Sequence, residues 1–355
     1  MELCQWNYAN GTKPIVKLIV SVFLLVCILL PPKPVFAVES HAVILMYHRF
    51  GEDKYPATNI KIEQFIQQLD FISEKGFNVW PLAEIVHHLQ NKIPMPDKVI
   101  AITIDDAYLS VYQIAYPLLL ERNLPFTLFV SAGVVDKAYS AYMNWPQIQD
   151  MVGHGVSLGN HSLNHFYLVE QKDQVDSEIM SNQKRIAEMT GLQTLLFAYP
   201  YGEYDLEIAN KVEALNYVGF GQQSGPVGEN MDFRFLPRFP VSEQYANMQG
   251  FQDKLYSLPM PIAAVKPEEI RISLAVPSMM VSLKKPVLAK DSLRCFASGQ
   301  GQANVRWMSQ SRFIVQSKKP LVLRRSRYNC TMRDPVSGRF LWYSHVWLRP
   351  EIGEP

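Results

Sequence analysis

Cysteine is scarce, with four in 355 residues. Cys4 and Cys27 belong to the N-terminal segment, so a processed chain keeps only Cys295 and Cys330. An even pair in an exported chain reads as a disulfide, against the alternative of two buried thiols in a sandwich core. Long hydrophobic runs are scarce too. The run Leu18 to Leu30 falls short of the roughly 20 residues that cross a bilayer. Lys13 and Lys17 precede it, Pro31-Pro32 ends it, and Val35-Phe36-Ala37 supplies a small-residue cleavage site. This is the pattern of a signal peptide over residues 1–37, with a mature chain from near Val38 in the periplasm or secreted. A retained anchor reaching back to Ile15 is the alternative. Cys27 lies inside the run and not after small residues, which argues against a lipoprotein signal. Internal repeats, low-complexity tracts and recognisable nucleic-acid modules are all absent, so nucleic acid is not an expected partner.

Net charge is nearly absent, at +1, but the balance conceals an asymmetry. Residues 1–255 carry 18 Lys+Arg against 27 Asp+Glu, whereas residues 256–355 carry 16 against 6. Two modules with different partners follow, and the basic tail suits an anionic polysaccharide or envelope surface. The texture of the sequence changes at the same place. From residue 42 to 241 short apolar runs (Val43–Tyr47, Val99–Ile104, Phe126–Val130, Val156–Gly159, Leu195–Ala198, Val218–Gly221, Phe235–Pro240) alternate with amphipathic stretches. Ile62, Phe65, Leu69 and Ile72 recur at helical spacing, and residues 82–90, 110–123, 146–152, 174–190 and 205–216 read alike. Asn123 and Gly191 stand where helices stop. Such alternation predicts a parallel sheet, open or closed into a barrel, over residues 38–257. Leu258-Pro-Met-Pro261 reads as a linker. Beyond it, short runs at Ile270–Val276, Arg294–Ala297, Val305–Met308, Leu321–Leu323 and Phe340–Trp347 predict an all-β sandwich over 258–355. Cys295, Trp307, Tyr328 and Cys330 there resemble the immunoglobulin pattern of a disulfide, a packed tryptophan and a tyrosine corner.

Polar residues gather at the C-terminal ends of the predicted strands, where α/β sheets and barrels keep their active sites. They are His48, Asp105-Asp106, His161, Tyr201-Gly202 and Arg238. His161 and His165 share one face if their segment is helical, and with Asp106 they offer three ligands for zinc or a similar first-row ion. Strand alternation aims Asp105 away from Asp106 unless a turn intervenes; it is then the candidate base for an activated water. Alone, His-x-x-x-His reads as a helix-surface pair and Asp-Asp as a turn or cap. Their order and their strand-end placement together favour a metal site. Tyr139, Tyr142 and Trp145 offer sugar-stacking faces, or else core aromatics.

Three motifs resemble those of the polysaccharide deacetylases, carbohydrate esterase family four. They are Thr103-Ile-Asp-Asp-Ala107, His161-Ser-Leu-Asn-His165 and Ala198-Tyr-Pro-Tyr-Gly202, and Leu45-Met-Tyr-His48 looks like the opening strand of many members. The resemblance implies a distorted (β/α) barrel, Asp105 as base, Asp106, His161 and His165 as ligands to one divalent metal (zinc first, then cobalt, nickel or manganese), and a backbone N–H near Tyr201 as a second oxyanion donor. It implies hydrolysis of N-acetyl groups on an N-acetylated polysaccharide or oligosaccharide. A glycan-binding barrel without turnover and a metal-dependent O-acetyl esterase are the alternatives. Three positions depart from the pattern. Ala107 replaces a glycine, a slight backbone restriction on this reading. Ala198 replaces the arginine that orients the base, and Arg238 is the candidate substitute. The late Leu-x-His motif that supplies the acid is missing; His345 falls in the tail, which leaves His48 as the candidate acid.

Overall fold

The computed structural model describes residues 39–287 and 289–353, so the signal peptide expected over 1–37 lies outside the described residues. Six parallel strands build the first part: β1 (His41–Tyr47), β2 (Val99–Asp105), β3 (Phe126–Val130), β4 (Ser157–Asn160), β5 (Leu196–Ala198) and β6 (Val218–Phe220). They pair in chain order, each with the next. A short β7 (Phe239–Pro240) lies parallel to the free side of β1, and Leu236 bridges to Phe220 of β6. Residues 236–240 therefore stretch from the last strand to the first and close a distorted half-barrel, as the family resemblance implies; the alternating pattern by itself left an open sheet and a barrel as alternatives. The strand expected from Phe235 is shortened to two residues because one segment must serve both edges.

β1 and β2 are buried along their whole length, as strands covered on both faces are. Ile44, Ala101, Phe129, Ala198 and Phe220 cluster inside the barrel with Leu82, Ile85, Val86 and Leu89 of helix α1 (Leu82–Gln90). Val43, Leu45, Tyr47, Ile100, Ile102 and Ile104 point outward beneath a helical layer that includes Phe65, Leu69, Ile148 and Ile186. Each fully buried side chain of this kind contributes about 1.5–3 kcal/mol. Asp105 keeps step with Ala101 and Thr103, so it stands on the inner face at the strand's C-terminal end. One glycine is required here: a Cβ on Gly159 would lie 2.3 Å from the Phe129 ring. The expected stops hold, with Gly191 ending its helix in the left-handed region at φ 74 and Asn123 at φ 53. Among the described residues no helix is long and apolar enough to cross a membrane.

Two sheets follow. One carries β8 (Leu258–Pro259), β11 (Arg294–Ala297), β14 (Arg325–Arg333) and β15 (Phe340–Leu348) with the edge pair Gly301–Gln302; the other carries β9 (Ile262–Lys266), β10 (Ser278–Leu283), β12 (Asn304–Trp307) and β13 (Arg312–Gln316). They enclose Met279, Val281, Phe313, Val315, Tyr328 and Trp347. Several expectations are corrected here. The stretch Leu258–Pro261 is no loose linker, because β8 pairs with Leu341 and Trp342. Ile270–Val276 and Leu321–Leu323 are not strands. β10, β13 and β14 were illegible as apolar runs because each buries only alternate residues. The immunoglobulin pattern fails in its geometry. Cys295 and Cys330 are bonded, but they face each other on neighbouring strands of one sheet and do not join two sheets. The fully buried tryptophan is Trp347; Trp307 sits half-buried on an edge strand against Phe313. Tyr328 does anchor two loops, donating to the Pro277 carbonyl at 2.7 Å and accepting from Ser317 N at 2.8 Å.

The sheets lie directly on the barrel. Val346 and Leu348 pack with Phe197, Tyr199 and Tyr204, Ser344 Oγ donates to the Ser224 carbonyl, and Arg339 Nη1 reaches Asp97 at 2.9 Å. The described residues from Glu39 onward form one compact unit.

Candidate metal centre and active site

β2 ends at Asp105, and the chain then turns sharply. Asp106 and Ala107 both take left-handed conformations, at φ 76 and 54. That turn lets two adjacent carboxylates address one site. It also corrects the view of Ala107 as a slight departure, because left-handed backbone strains any residue with a Cβ. The segment from His161 to His165 is not a helix. Ser162 and His165 are themselves left-handed, at φ 59 and 58, and side chains tie the loop to its neighbours. Asn160 Oδ1 accepts from Ser162 N at 3.0 Å, Ser162 Oγ accepts from His165 N at 3.1 Å, and Glu178 accepts from Asn164 N at 2.8 Å. The two imidazoles converge through this loop, not through helical spacing.

His161 Nε2 and His165 Nε2 lie 3.2 and 3.1 Å from the same oxygen, Asp106 Oδ1. One donor atom from each of the three residues falls within 4.8 Å of the others. His161 Nδ1 lies 2.7 Å from the Ala198 carbonyl; with a cation bound, donation there would leave Nε2 as the lone-pair nitrogen, the usual way a ligand imidazole is oriented. The donor set fits a first-row divalent cation. Burial opposes charge on Asp106, but hydrogen bonds from His161 and His165 outweigh it and hold the carboxyl well below its usual range. Burial likewise disfavours charge on His161, yet Asp106 and Asp105 together raise its pKa.

Asp105 is fully buried beside this triad. Arg238 grips it with two parallel bonds, Nη1 to Oδ1 and Nη2 to Oδ2, both 2.8 Å. The guanidinium is itself fixed by the Gly221 carbonyl at 3.0 Å, by Thr103 Oγ1 at 3.2 Å and by the Phe129 face, 5.2 Å away. Burial would push Asp105 toward its neutral form; Arg238 and then His161 outweigh that and hold its pKa low. An arginine from the segment that closes the barrel thus pairs with Asp105, while position 198 holds an alanine. His48 stands on the other side, its Nε2 3.9 Å from Asp105 Oδ2. Burial lowers its pKa, against the pull of both aspartates.

Tyrosines ring the opening. Tyr201, left-handed at φ 61, sets its ring edge-on to His165, with centroids 4.5 Å apart, and Tyr167 stacks on Tyr201 at 3.9 Å. Burial, then Tyr167 and Asp106, push the Tyr201 hydroxyl up to about 12. Tyr108 and Tyr142 pack together at 4.8 Å, and Tyr139 is exposed beyond them. Trp145 is buried, donating to Asp136 at 2.7 Å, and offers no sugar face. His345 is also buried, its pKa lowered by burial to about 4, and stays in the sheet part. Sequence reasoning missed Tyr108, Tyr167, Glu203, Arg324 and Arg325. Tyr167, two residues beyond His165, was within reach of a motif reading; the two arginines, more than 100 residues away from the turn they touch, were not. A cavity of about 360 Å³ opens where the sheets meet the barrel, lined by Tyr204, Gln223, Trp342 and Tyr343. It holds none of the triad, so donor chemistry and not volume identifies the site.

A triad with the donor set for a divalent cation, beside an arginine-held carboxylate at the C-terminal mouth of an α/β half-barrel, is the equipment of a metal-assisted hydrolase. Residues 92–220 match the family model described as Polysaccharide deacetylase. The "Putative polysaccharide deacetylase YxkH" of Bacillus subtilis (strain 168) is 26% identical over 202 residues, 56% of this chain and 71% of its own. The poly-beta-1,6-N-acetyl-D-glucosamine N-deacetylase of Staphylococcus aureus (strain MRSA252) is 22% identical over 259 residues, 63% of this chain and 88% of its own. Among solved structures, the Streptococcus pyogenes deacetylase PplD in complex with acetate superposes with a TM-score of 0.55 at 25% identity. IcaB from Ammonifex degensii gives 0.53 at 27%. Each covers 59% of this chain and 95% of its own.

Proposed function

We propose that this chain is a metal-dependent N-deacetylase that removes acetyl groups from an N-acetylglucosamine-containing polysaccharide. The observation that carries the reading is the bidentate Arg238–Asp105 pair standing beside the Asp106, His161 and His165 triad. A divalent cation on that triad, zinc as the first choice for such donors, with cobalt, nickel or manganese as alternatives, would polarise the acetamide carbonyl and make water nucleophilic at neutral pH. Asp105 accepts the water's proton, because Arg238 keeps it ionised in a buried place. His48 delivers a proton to the leaving amine, which is too basic to depart unprotonated; its lowered pKa makes it the stronger acid once protonated. A backbone N–H near Tyr201 receives the carbonyl oxygen as it gains charge. The products are acetate and a free amino sugar.

The Staphylococcus aureus relative, named for poly-beta-1,6-N-acetyl-D-glucosamine, supports this substrate class. The N-terminal pattern supports export to the periplasm or outside, with the segment before Val38 removed, and the basic residues after 256 support contact with an anionic glycan or envelope surface. Acetate release from poly-N-acetylglucosamine, chitin oligomers and peptidoglycan, with and without chelator, tests the reading. Chelator-sensitive release is expected. Release from O-acetylated glycans alone would replace it with an esterase, and metal-loaded protein that binds glycan without any release would leave a binding module.

A further inference from the structure

Two adjacent arginines of the sheet part grip the turn that carries Tyr201. Arg325 Nη1 donates to the Tyr201 carbonyl at 2.7 Å. Arg324 holds Glu203 with two bonds, Nε to Oε1 at 2.7 Å and Nη2 to Oε2 at 2.9 Å. Glu203 is 1% exposed, and Arg324 is itself fixed by Glu170 at 2.6 Å and the Pro350 carbonyl at 2.8 Å. On the other side of the turn, the Tyr201 ring meets His165, and Tyr167, which stacks on Tyr201, lies under the Arg324 guanidinium at 4.5 Å. A continuous path of contacts therefore runs from β14, through Tyr201 and Tyr167, to a metal-ligating histidine. The turn's own bonds, Gly202 N to Tyr199 O at 2.8 Å and Glu203 N to Pro200 O at 3.1 Å, lie within the turn. A tyrosine held left-handed stores roughly 1–3 kcal/mol of strain, which persists only where the surroundings over-determine it.

We propose that Arg325, seconded by Arg324, is a positioning residue for the metal centre. By holding the Tyr201 turn, the sheet part sets the place of His165 and of the backbone facing the substrate. The sheets are then a structural half of the active site as well as any glycan-binding surface they provide. The kinetic arm of this proposal rests on the deacetylase reading; the metal arm does not.

The test uses the full chain loaded with Zn²⁺, as wild type, Arg325→Ala, Arg325→Lys and, as a control, Arg312→Ala, an exposed arginine of β13. Acetate-release kinetics and Zn²⁺ retention against a competing chelator are both read. Loss of support around a ligand lowers affinity or activity by about 10–100-fold. Arg325→Ala is expected to lose about tenfold or more in kcat, with KM moving within about twofold, and to release Zn²⁺ at lower chelator. Arg325→Lys recovers part of both, and Arg312→Ala matches wild type. Wild-type kcat and Zn²⁺ retention in Arg325→Ala overturn the proposal. So does a raised KM at unchanged kcat and retention, which would make Arg325 a substrate contact only. Should Arg325→Ala fail to fold, Arg325→Gln, which keeps one N–H donor group, is judged by the same criteria. Wild type releasing no acetate while Arg325→Ala retains Zn²⁺ poorly removes the deacetylase reading and keeps this one. Active wild type with an unaltered Arg325→Ala does the reverse.

Discussion

Asp105 is where burial and charge compete most directly. A carboxylate with no exposure would take up a proton in isolation; two bonds from a guanidinium equally buried keep it charged. Removing one partner of such a pair typically destabilises by about 3–5 kcal/mol, because the other is left charged and uncompensated. Arg238→Met is therefore expected to unfold at lower urea at pH 7. The sign with pH follows from the depressed pKa. The contribution of Asp105 is present above its unfolded value near ~3.9 and is lost as pH falls through the lower folded one. The gap between wild type and Arg238→Met should narrow in urea titrations below about pH 4; a gap that widens on acidification would contradict the pairing. Asp105→Asn is expected to abolish acetate release while Zn²⁺ content by metal analysis stays at that of wild type, since Asp106, His161 and His165 remain; Zn²⁺ lost together with activity would place Asp105 among the ligands. Gly159 acts one layer below. An added methyl drives Phe129 from beneath Arg238, and overpacking of this kind costs about 1–3 kcal/mol. Gly159→Ala should lower both thermal midpoint and kcat, whereas an unmoved midpoint would show that the ring can yield.

At the scale of elements, the strands that form the barrel were legible because parallel strands are buried on both faces and read as unbroken apolar runs. Phe126–Val130 matches residue for residue. The strands of the two later sheets alternate buried and half-exposed residues, so β10, β13 and β14 passed unnoticed. The site was legible where chemistry is carried by local motifs, at Asp105-Asp106 and at His161 and His165. The manner of their convergence was not, because left-handed turns at Asp106, Ser162 and His165 leave no periodic trace. Arg238 could be proposed as the substitute partner because it lies in the last apolar run of the alternating pattern. Arg324 and Arg325 could not, since nothing local links them to residues 201–203. The helix Met248–Leu255, also unread, carries a testable oddity in Lys254. It is buried, with its ammonium on the Tyr245 carbonyl at 2.8 Å, and burial lowers its pKa to about 8. Between that value and an unfolded value near ~10.4 the unfolded chain binds more protons, so stability rises with pH across this window and holds a constant penalty below it. Urea titrations from pH 7.5 to 10 should show the rise in wild type and a flatter profile in Lys254→Met; equal slopes would mean that the ammonium is solvated.

For the molecule as a whole, the question is whether the sheets are an appendage or a part. Three kinds of contact argue for a part. Val346 and Leu348 share a core with Phe197, Tyr199 and Tyr204. The Arg324–Glu203 pair is buried on both sides, where an unpartnered charge is strongly penalised. At the far edge Arg339 spans Asp97 and the Tyr256 carbonyl. An appendage joined by a linker would melt separately, and breaking its disulfide would leave the barrel's transition where it was. A shared core predicts otherwise. Opening Cys295–Cys330, which closes a loop of 35 residues in sequence, releases about 2–4 kcal/mol of constraint on the unfolded chain. Because that loop belongs to the same cooperative unit, the loss must appear in the transition of the whole. Scanning calorimetry of the protein from residue 38 onward should show one transition, and the double variant Cys295→Ser, Cys330→Ser should move that single transition down, carrying acetate release with it. Two resolved transitions, with only the later sheets responding to loss of the disulfide while activity survives their melting, would return them to the status of an independent module and remove the structural reason for arginines of β14 and the residue before it to hold the active-site turn.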